Sequence, residues 1–358
     1  MAVNSEANSI SISDLSLTFP NGFVGLKSTG LQIQSGHFCT LLGPSGSGKT
    51  TLLRAIAGLI TPTTGRIRIG NTDVTDLPVQ ARNIGFVFQN YALFPHMSVA
   101  ENIEYPLKLH NWKVDARKAR VKEILDLIEL PHAAGNAVGQ LSGGQQQRVA
   151  IGRALAYKPS LLLLDEPMGA LDRRLRQQLG AELRAIQQRT GITAVYVTHD
   201  QEEAFILSDR IAVMAHGEIL QYSTPADLYA RPGSRFVAEF LGEANLIDVQ
   251  SVAGDMAVTA YGPLPFTAIE TLHARHGQPS LLVRPEDIRF VDSGSNHPTP
   301  VLQAEVARTL FLGSRCLVSA KMKDGKTLTV ECGKSDAPRE GTTCGVTWAS
   351  SAAIMLVQ

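Results

Sequence analysis

Residues 43–51 read Gly-Pro-Ser-Gly-Ser-Gly-Lys-Thr-Thr, which sets Gly43, Gly48, Lys49 and Thr50 in the register of a phosphate-binding loop. The loop has the context it needs. Phe38–Leu42 reads as a buried strand before it, and 51–57 carries apolar residues at helical spacing after it. Gly43, Gly46 and Gly48, interleaved with Pro44, Ser45 and Ser47, let consecutive backbone N–H groups turn toward one anion at the positive end of a helix dipole. Lys49 is the expected partner of the β- and γ-phosphates, and the Thr50 hydroxyl an expected ligand of Mg²⁺. Taken alone, the same residues could form an unliganded glycine-rich turn. The rest of the chain argues against that alternative.

At 358 residues the chain is longer than a single core usually supports, so two domains are expected. Lysine plus arginine (33) balances aspartate plus glutamate (33), and no overall basic field points to nucleic acid. Cys39, Cys316, Cys332 and Cys344 have no C-x-x-C spacing and no accompanying histidine cluster, which argues against a zinc site and for a reduced, cytosolic protein. Residues 1–14 lack the pattern of a signal peptide, and no apolar stretch reaches the roughly 18 to 20 residues of a membrane span. Work at a membrane would require partner subunits.

Residues 10–19 alternate apolar and polar side chains, and Pro20-Asn21-Gly22 supplies turn chemistry, so a strand leading into a hairpin is expected, with Phe19 at its end. Next to the phosphate loop, Phe19 could stack on adenine; taken by itself it reads rather as a core or surface phenylalanine. Residues 84–88 form a further buried strand that delivers Gln89 into the loop 90–98, where Tyr91 and Phe94 are expected either to face a partner or to be tucked into the core. A helix follows from 115 to 130 and stops at Pro131.

The stretch 141–155, Leu-Ser-Gly-Gly-Gln-Gln-Gln-Arg-Val-Ala-Ile-Gly-Arg-Ala-Leu, offers a second helix N-terminus. Ser142 can cap it and Gln145 completes a capping box, while the tandem glycines Gly143 and Gly144 favour approach of a ligand. If both helix ends contact one triphosphate, the chain folds back on itself or two copies meet head to tail. Leu161–Leu164 then reads as a central parallel strand ending in Asp165 and Glu166. Asp165 suits the Mg²⁺ shell, and Glu166 suits a base for the attacking water. Leu171, Leu175, Leu179, Leu183 and Ile186 share a helical face that starts at Asp172, and the strand 193–198 presents His199.

Beyond Gly242 the pattern changes to short alternating strands with turn signals, as in 281–288 and in a hairpin turning at Asp324-Gly325. Residues 293–300 read as a loop. A small β-barrel domain is expected over 243–358.

In this order, the phosphate loop, Gln89, Leu141-Ser-Gly-Gly-Gln145, Asp165-Glu166 and His199 resemble the nucleotide-binding subunits of ABC transporters. The resemblance implies an α/β P-loop NTPase fold, the ABC ATPase domain, over 1–242. Leu282-Val-Arg-Pro-Glu-Asp287 resembles the all-β, oligomer-binding-type (TOBE-like) regulatory domain of importer ATPases, expected over 243–358. Within importers, 79–97 and 165–172 look most like the polyamine, opine and phosphonate group. The resemblance further implies that ATP and Mg²⁺ are bound, Phe19 stacking on adenine and Ser45–Thr51 holding the phosphates, with Thr51 at the loop's end. Gln89 would sense Mg²⁺ and the γ-phosphate, Glu166 would be the catalytic base, and His199 would bond the γ-phosphate. Ser142 and Gly144 would serve the ATP of the opposite subunit, with Asp172 linking the two sites of a homodimer. Two transmembrane permease subunits, an indirect substrate-binding protein and a peripheral place on the cytoplasmic face of the inner membrane are also implied. Met168-Gly169 departs from the Leu-Ser pair of many members, and one extra residue follows Phe19.

A soluble ABC ATPase acting on nucleic acid or ribosomes is the competing reading. Such proteins commonly carry two ATPase units or a coiled-coil insertion, whereas this chain has one phosphate loop, no heptad run and neutral charge. A nucleotide-gated module without turnover would lack Glu166 or His199, and both are present.

Overall fold

The computed structural model describes residues 8–169, 172–267, 278–292, 297 and 299–356. Leu171 and residues 293–296 and 298 of the expected loop lie outside them. The chain divides into two compact units, 1–225 and 226–358.

In chain order the first unit contains β1 (Ile10–Thr18), β2 (Val24–Ile33), β3 (Phe38–Leu42), α1 (Lys49–Ala57), β4 (Thr64–Ile69), β5 (Thr72–Asp73), β6 (Ile84–Val87), α2 (Val99–Leu109), α3 (Val114–Leu127), α4 (Gly143–Leu155), β7 (Leu161–Asp165), α5 (Arg173–Thr190), β8 (Thr193–Thr198), α6 (Gln201–Leu207), β9 (Arg210–Ala215) and β10 (Glu218–Ser223). An antiparallel sheet, in the order β2-β1-β4-β5, comes from the alternating N-terminal sequence. The second sheet runs β10-β9-β3-β8-β7-β6. Its strands from β9 to β6 are parallel, and β3, β7 and β8 are buried along their whole length, which explains their unbroken apolar runs.

Two apolar clusters hold this unit. One face of the parallel sheet presents Leu41, Leu161, Leu163, Val195 and Val197 toward Leu52, Leu53 and Ile56 of α1. The other presents Phe38, Leu162, Leu164 and Tyr196 toward α4 and α5 through Val149, Ala150, Leu179 and Leu183. The alternation of successive residues between the two clusters is the period-two geometry of a strand covered on both faces.

The second unit carries two short helices, α7 (Pro225–Ala230) and α8 (Arg235–Phe240), then β11 (Asn245–Ala253), β12 (Met256–Thr259), β13 (Gly262–Pro265), β14 (Ser280–Val283), β15 (Arg289–Val291), β16 (Leu302–Phe311), β17 (Arg315–Met322), β18 (Thr327–Gly333), β19 (Thr343–Thr347) and β20 (Ala353–Leu356). They form two five-stranded sheets, β13-β12-β11-β14-β20 and β15-β19-β16-β17-β18, in which every pairing is antiparallel. The hairpin at Asp324-Gly325 is present, with Gly325 at φ 86°. The strand expected over 281–288 stops at Val283, because Pro285 cannot donate to a ladder and begins a 3₁₀ turn.

The division at 225 lies ahead of the expected boundary at Gly242. Ala238 of α8 packs with Leu282 and Leu356, and the buried Arg284 donates to the carbonyls of Ala238 (3.0 Å) and Glu243 (3.1 Å). These contacts join the segment after 225 to the β-rich unit.

Candidate nucleotide site

The parallel sheet brings the motif residues together. The C-terminal ends of β3, β8, β7 and β6 lie side by side, and they carry in that order the phosphate loop, His199, Glu166 and, two residues past the strand, Gln89. Loops at the carboxyl edge of such a sheet are where an α/β fold places a ligand.

Pro44, Ser45 and Gly46 form the exposed crest of the phosphate loop, while Ser47 and Lys49 are buried beneath it. Gly48 has φ 101° and caps α1. Gly43 is required by close approach, since a Cβ there would lie 2.2 Å from the Met214 carbonyl oxygen. Lys49 folds back over the loop and donates from Nζ to the carbonyls of Gly43 (2.8 Å) and Pro44 (2.9 Å). Burial pushes its ammonium below the ordinary lysine value, while the carboxylates of Glu166 and Asp165 pull it back up.

Thr50 Oγ1 donates to Asp165 Oδ1 at 3.1 Å, and Arg54 lies 3.7 Å from Asp165 Oδ2. Burial raises the Asp165 carboxyl above its ordinary value, against the Thr50 hydrogen bond and the Arg54 charge. A hydroxyl and a carboxylate converging beside a phosphate loop form an all-oxygen donor set that fits Mg²⁺, an ion that needs few protein ligands when phosphates supply the rest. Thr51, the next residue, is half-buried in the first turn of α1.

Glu166 adopts φ 45°, unusual for a side chain with a Cβ, and its N–H donates to Val197 O at 3.1 Å. That conformation turns the backbone out of the sheet and leaves Glu166 Oε2 3.5 Å from His199 Nδ1. Gln89 is exposed, and its Nε2 comes near Gly169, where a Cβ would sit 3.9 Å away. Met168 beside it is fully buried, so the Met-Gly pair fills a core position and leaves room for Gln89.

Three expected residues stand apart from this constellation. Ser142 caps α4, accepting from the Gln145 N–H at 3.4 Å, while Gln145 Oε1 accepts from the Ser142 N–H at 3.0 Å. The capping box therefore forms. Gly144 is buried, and a Cβ would lie 3.2 Å from Leu179, so close packing onto α5 explains this glycine in a way the sequence did not suggest. Asp172 caps α5 through its bond from the Leu175 N–H at 3.0 Å.

Phe19 is half-buried. Its ring lies against Gly25, where a Cβ would come 2.6 Å from Cε2, and it stacks on Phe23 with centroids 6.1 Å apart. Phe23 is 60% exposed, an aromatic at the hairpin that sequence reasoning passed over. Tyr91 and Phe94 are half-buried, not exposed: Tyr91 packs on the α4/α5 cluster, and Phe94 meets the ring of Tyr105 at 4.6 Å. Arg153 of α4 was also missed. It donates to the carbonyls of Ala92 (2.7 Å) and Tyr91 (2.9 Å) and lies over the Phe94 ring at 5.3 Å, and no periodicity distinguishes it from its neighbours.

Comparison with known proteins identifies relatives over both units. The ABC transporter family profile matches residues 26–169, and that of the TOBE domain matches residues 281–356. The spermidine/putrescine import ATP-binding protein PotA 1 of Pseudomonas aeruginosa is 42% identical over 348 residues, covering 94% of this chain and 93% of that protein. The Fe(3+) ions import ATP-binding protein FbpC of Brucella abortus is 41% identical over 323 residues, 88% of this chain and 90% of that one. Among solved structures, a dimeric ATP-binding cassette in a post-hydrolysis state with ADP and Pi superposes with a TM-score of 0.54 at 36% identity, covering 60% of this chain and 98% of that one.

Proposed function

We infer that this chain, which belongs to the ATP-binding proteins of ABC transporters, hydrolyses ATP between two head-to-tail copies and couples the cycle to import of a polyamine. ATP hydrolysis coupled to transport is the activity of the family. The observation that carries the reading of the site is the meeting of Thr50 with Asp165 and of Glu166 with His199 at the edge of one parallel sheet.

Gly43 to Thr51 cradle the phosphates, and Lys49 exchanges the carbonyls of Gly43 and Pro44 for phosphate oxygens. Glu166 accepts the proton of the water that attacks the γ-phosphorus as ADP departs. His199 donates to the γ-phosphate, and Gln89 orients toward it. Thr50 and Asp165, with Gln89 nearby, would hold Mg²⁺, which would supply charge neutralisation to the phosphates. Ser142 and Gly144 serve the ATP of the second copy, Asp172 links the two sites, and the aromatic pair Phe19 and Phe23 supports the adenine. The dimeric cassette structure supports the pairing of two copies.

An import ATP-binding subunit works with permease and substrate-binding partners, and we assign two permease subunits to the dimer. Among the described residues no helix is long and apolar enough to cross a membrane, which suits a peripheral subunit on the cytoplasmic face. The polyamine assignment rests on the relatives named for spermidine and putrescine, the ferric-ion relative marking the alternative. Vesicles carrying the full complex test both levels. ATP-driven uptake of spermidine is expected, abolished by Glu166→Gln. Uptake of ferric ion in its place would overturn the substrate, and undiminished uptake by Glu166→Gln would overturn the catalytic assignment.

A further inference from the structure

His199 projects from a turn with its side chain 56% exposed, so packing does little to fix the imaginary line from its ring to Glu166. The backbone on either side must do so. Thr198 and Asp200, its two neighbours, both engage a third residue, Glu203, which is only 7% exposed. Glu203 Oε2 accepts from the Thr198 hydroxyl at 2.7 Å and from the Tyr196 hydroxyl at 2.6 Å, and Oε1 faces Arg176 at 3.8 Å. The Asp200 N–H donates to Thr198 Oγ1 at 3.0 Å, and the Glu203 N–H donates to Asp200 Oδ1 at 3.1 Å. Arg176 of α5 also pairs with Asp200.

We propose that Glu203 is a positioning residue for His199, acting through the Thr198 hydroxyl to fix the turn that holds the imidazole beside Glu166. The inference rests on the phosphate role given to His199 above. The Thr198 hydroxyl is the hinge of the arrangement, because it donates to the carboxylate and accepts from the N–H just past His199. Removing it leaves a buried carboxylate short of one donor and an N–H short of its acceptor, which frees the turn. Tyr196 donates to the same carboxylate from inside β8 without touching the turn, so its loss weakens the fold and leaves His199 in place.

The test compares kcat and KM for ATP in full-length variants, with thermal unfolding measured alongside. Thr198→Val is expected to lower kcat by about 10- to 100-fold, the range for a misplaced reacting group, with KM unchanged. Thr198→Ser restores kcat. Tyr196→Phe lowers the unfolding temperature with kcat intact. In a His199→Ala background, Thr198→Val causes no further loss. Should Thr198→Val fail to fold, Glu203→Met, which removes the acceptor of the Thr198 hydroxyl, is expected to show the same kcat loss and the same silence beside His199→Ala, whereas Glu203→Gln, which keeps an acceptor oxygen, retains kcat. Loss of kcat in Glu203→Gln equal to that in Glu203→Met overturns the proposal. A multiplicative loss in the double variant, or kcat that tracks unfolding temperature through Tyr196→Phe, overturns the proposal. His199→Ala with wild-type kcat would instead overturn the role of His199 itself.

Discussion

Thr50 and Asp165, 115 positions apart, meet through a 3.1 Å hydrogen bond that joins the first turn of α1 to the end of β7. Each is a poor metal site alone, and together they supply a hydroxyl and a carboxylate oxygen at the phosphate loop. Asp165→Asn is expected to reduce Mg²⁺-dependent hydrolysis by about 100-fold, consistent with the several kcal/mol a metal contributes to phosphoryl transfer. Binding of ATP in the presence of a chelator should be unchanged. Hydrolysis and nucleotide affinity titrated against Mg²⁺ check both halves, and a normal Mg²⁺ dependence would remove Asp165 from the metal site.

Lys49 and Ser142 are expected to fail differently. Lys49→Ala removes the charge proposed to face the β- and γ-phosphates and should abolish ATP binding. Ser142→Arg should spare binding and stop turnover, following the proposal that Ser142 serves the other copy's nucleotide. Equal losses of affinity, measured by titration with a fluorescent ATP analogue, would point to a site complete within one copy.

Lys49 also sets a pH dependence. Its folded-state pKa lies below the ordinary 10.5 because burial disfavours the ammonium. Between those two values the unfolded chain binds more protons, so this lysine's destabilising contribution fades and stability rises as pH climbs toward 10.5. Bound ATP favours the ammonium and should flatten that slope. Lys49→Met should remove it, as read from denaturant midpoints across alkaline pH.

The loop after Gln89 holds two consecutive non-glycine residues in the left-handed region, Tyr91 at φ 61° and Ala92 at φ 47°. Each costs about 1–3 kcal/mol, offset by the Arg153 fork on their carbonyls. Arg153→Lys keeps the charge and loses the fork. Hydrogen exchange at 91–94 should accelerate, and unchanged protection would show that the loop is held by its own packing. Phe94→Ala, which strips a ring from Tyr105 and Arg153, is expected to cost about 2 kcal/mol of stability. Any test of a partner contact at this loop must therefore read unfolding temperature beside uptake.

Cutting the chain tests where the first unit ends. A fragment ending at 225 should fold and show thermal stabilisation by ATP, whereas one ending at Gly242 keeps α7 and α8 but loses Leu282, Arg284 and Leu356, against which they are held. The shorter fragment is expected to be the better behaved in solution. Aggregation of 1–225 beside a well-folded 1–242 would move the boundary to Gly242.

Local features of this protein were legible in its sequence because their causes are local. The glycine spacing of 43–48, the leucine run before Asp165 and the cap at Ser142 follow from φ/ψ freedom, burial of a two-faced strand and orphan N–H groups at a helix start. The strand order β10-β9-β3-β8-β7-β6 was decided only in three dimensions, since crossover connections and packing on both faces choose which strands become neighbours. That order is what sets Glu166 beside His199 and Thr50 beside Asp165. Burial likewise had to wait for the fold: Tyr91 and Phe94 sit in a polar, turn-rich loop, yet the α4/α5 cluster and Tyr105 pack against them, and Gly144 lies close against Leu179 of α5. Glu203 carries no motif of its own, and only the tertiary structure, by folding α6 against the end of β8, puts its carboxylate under the turn of His199.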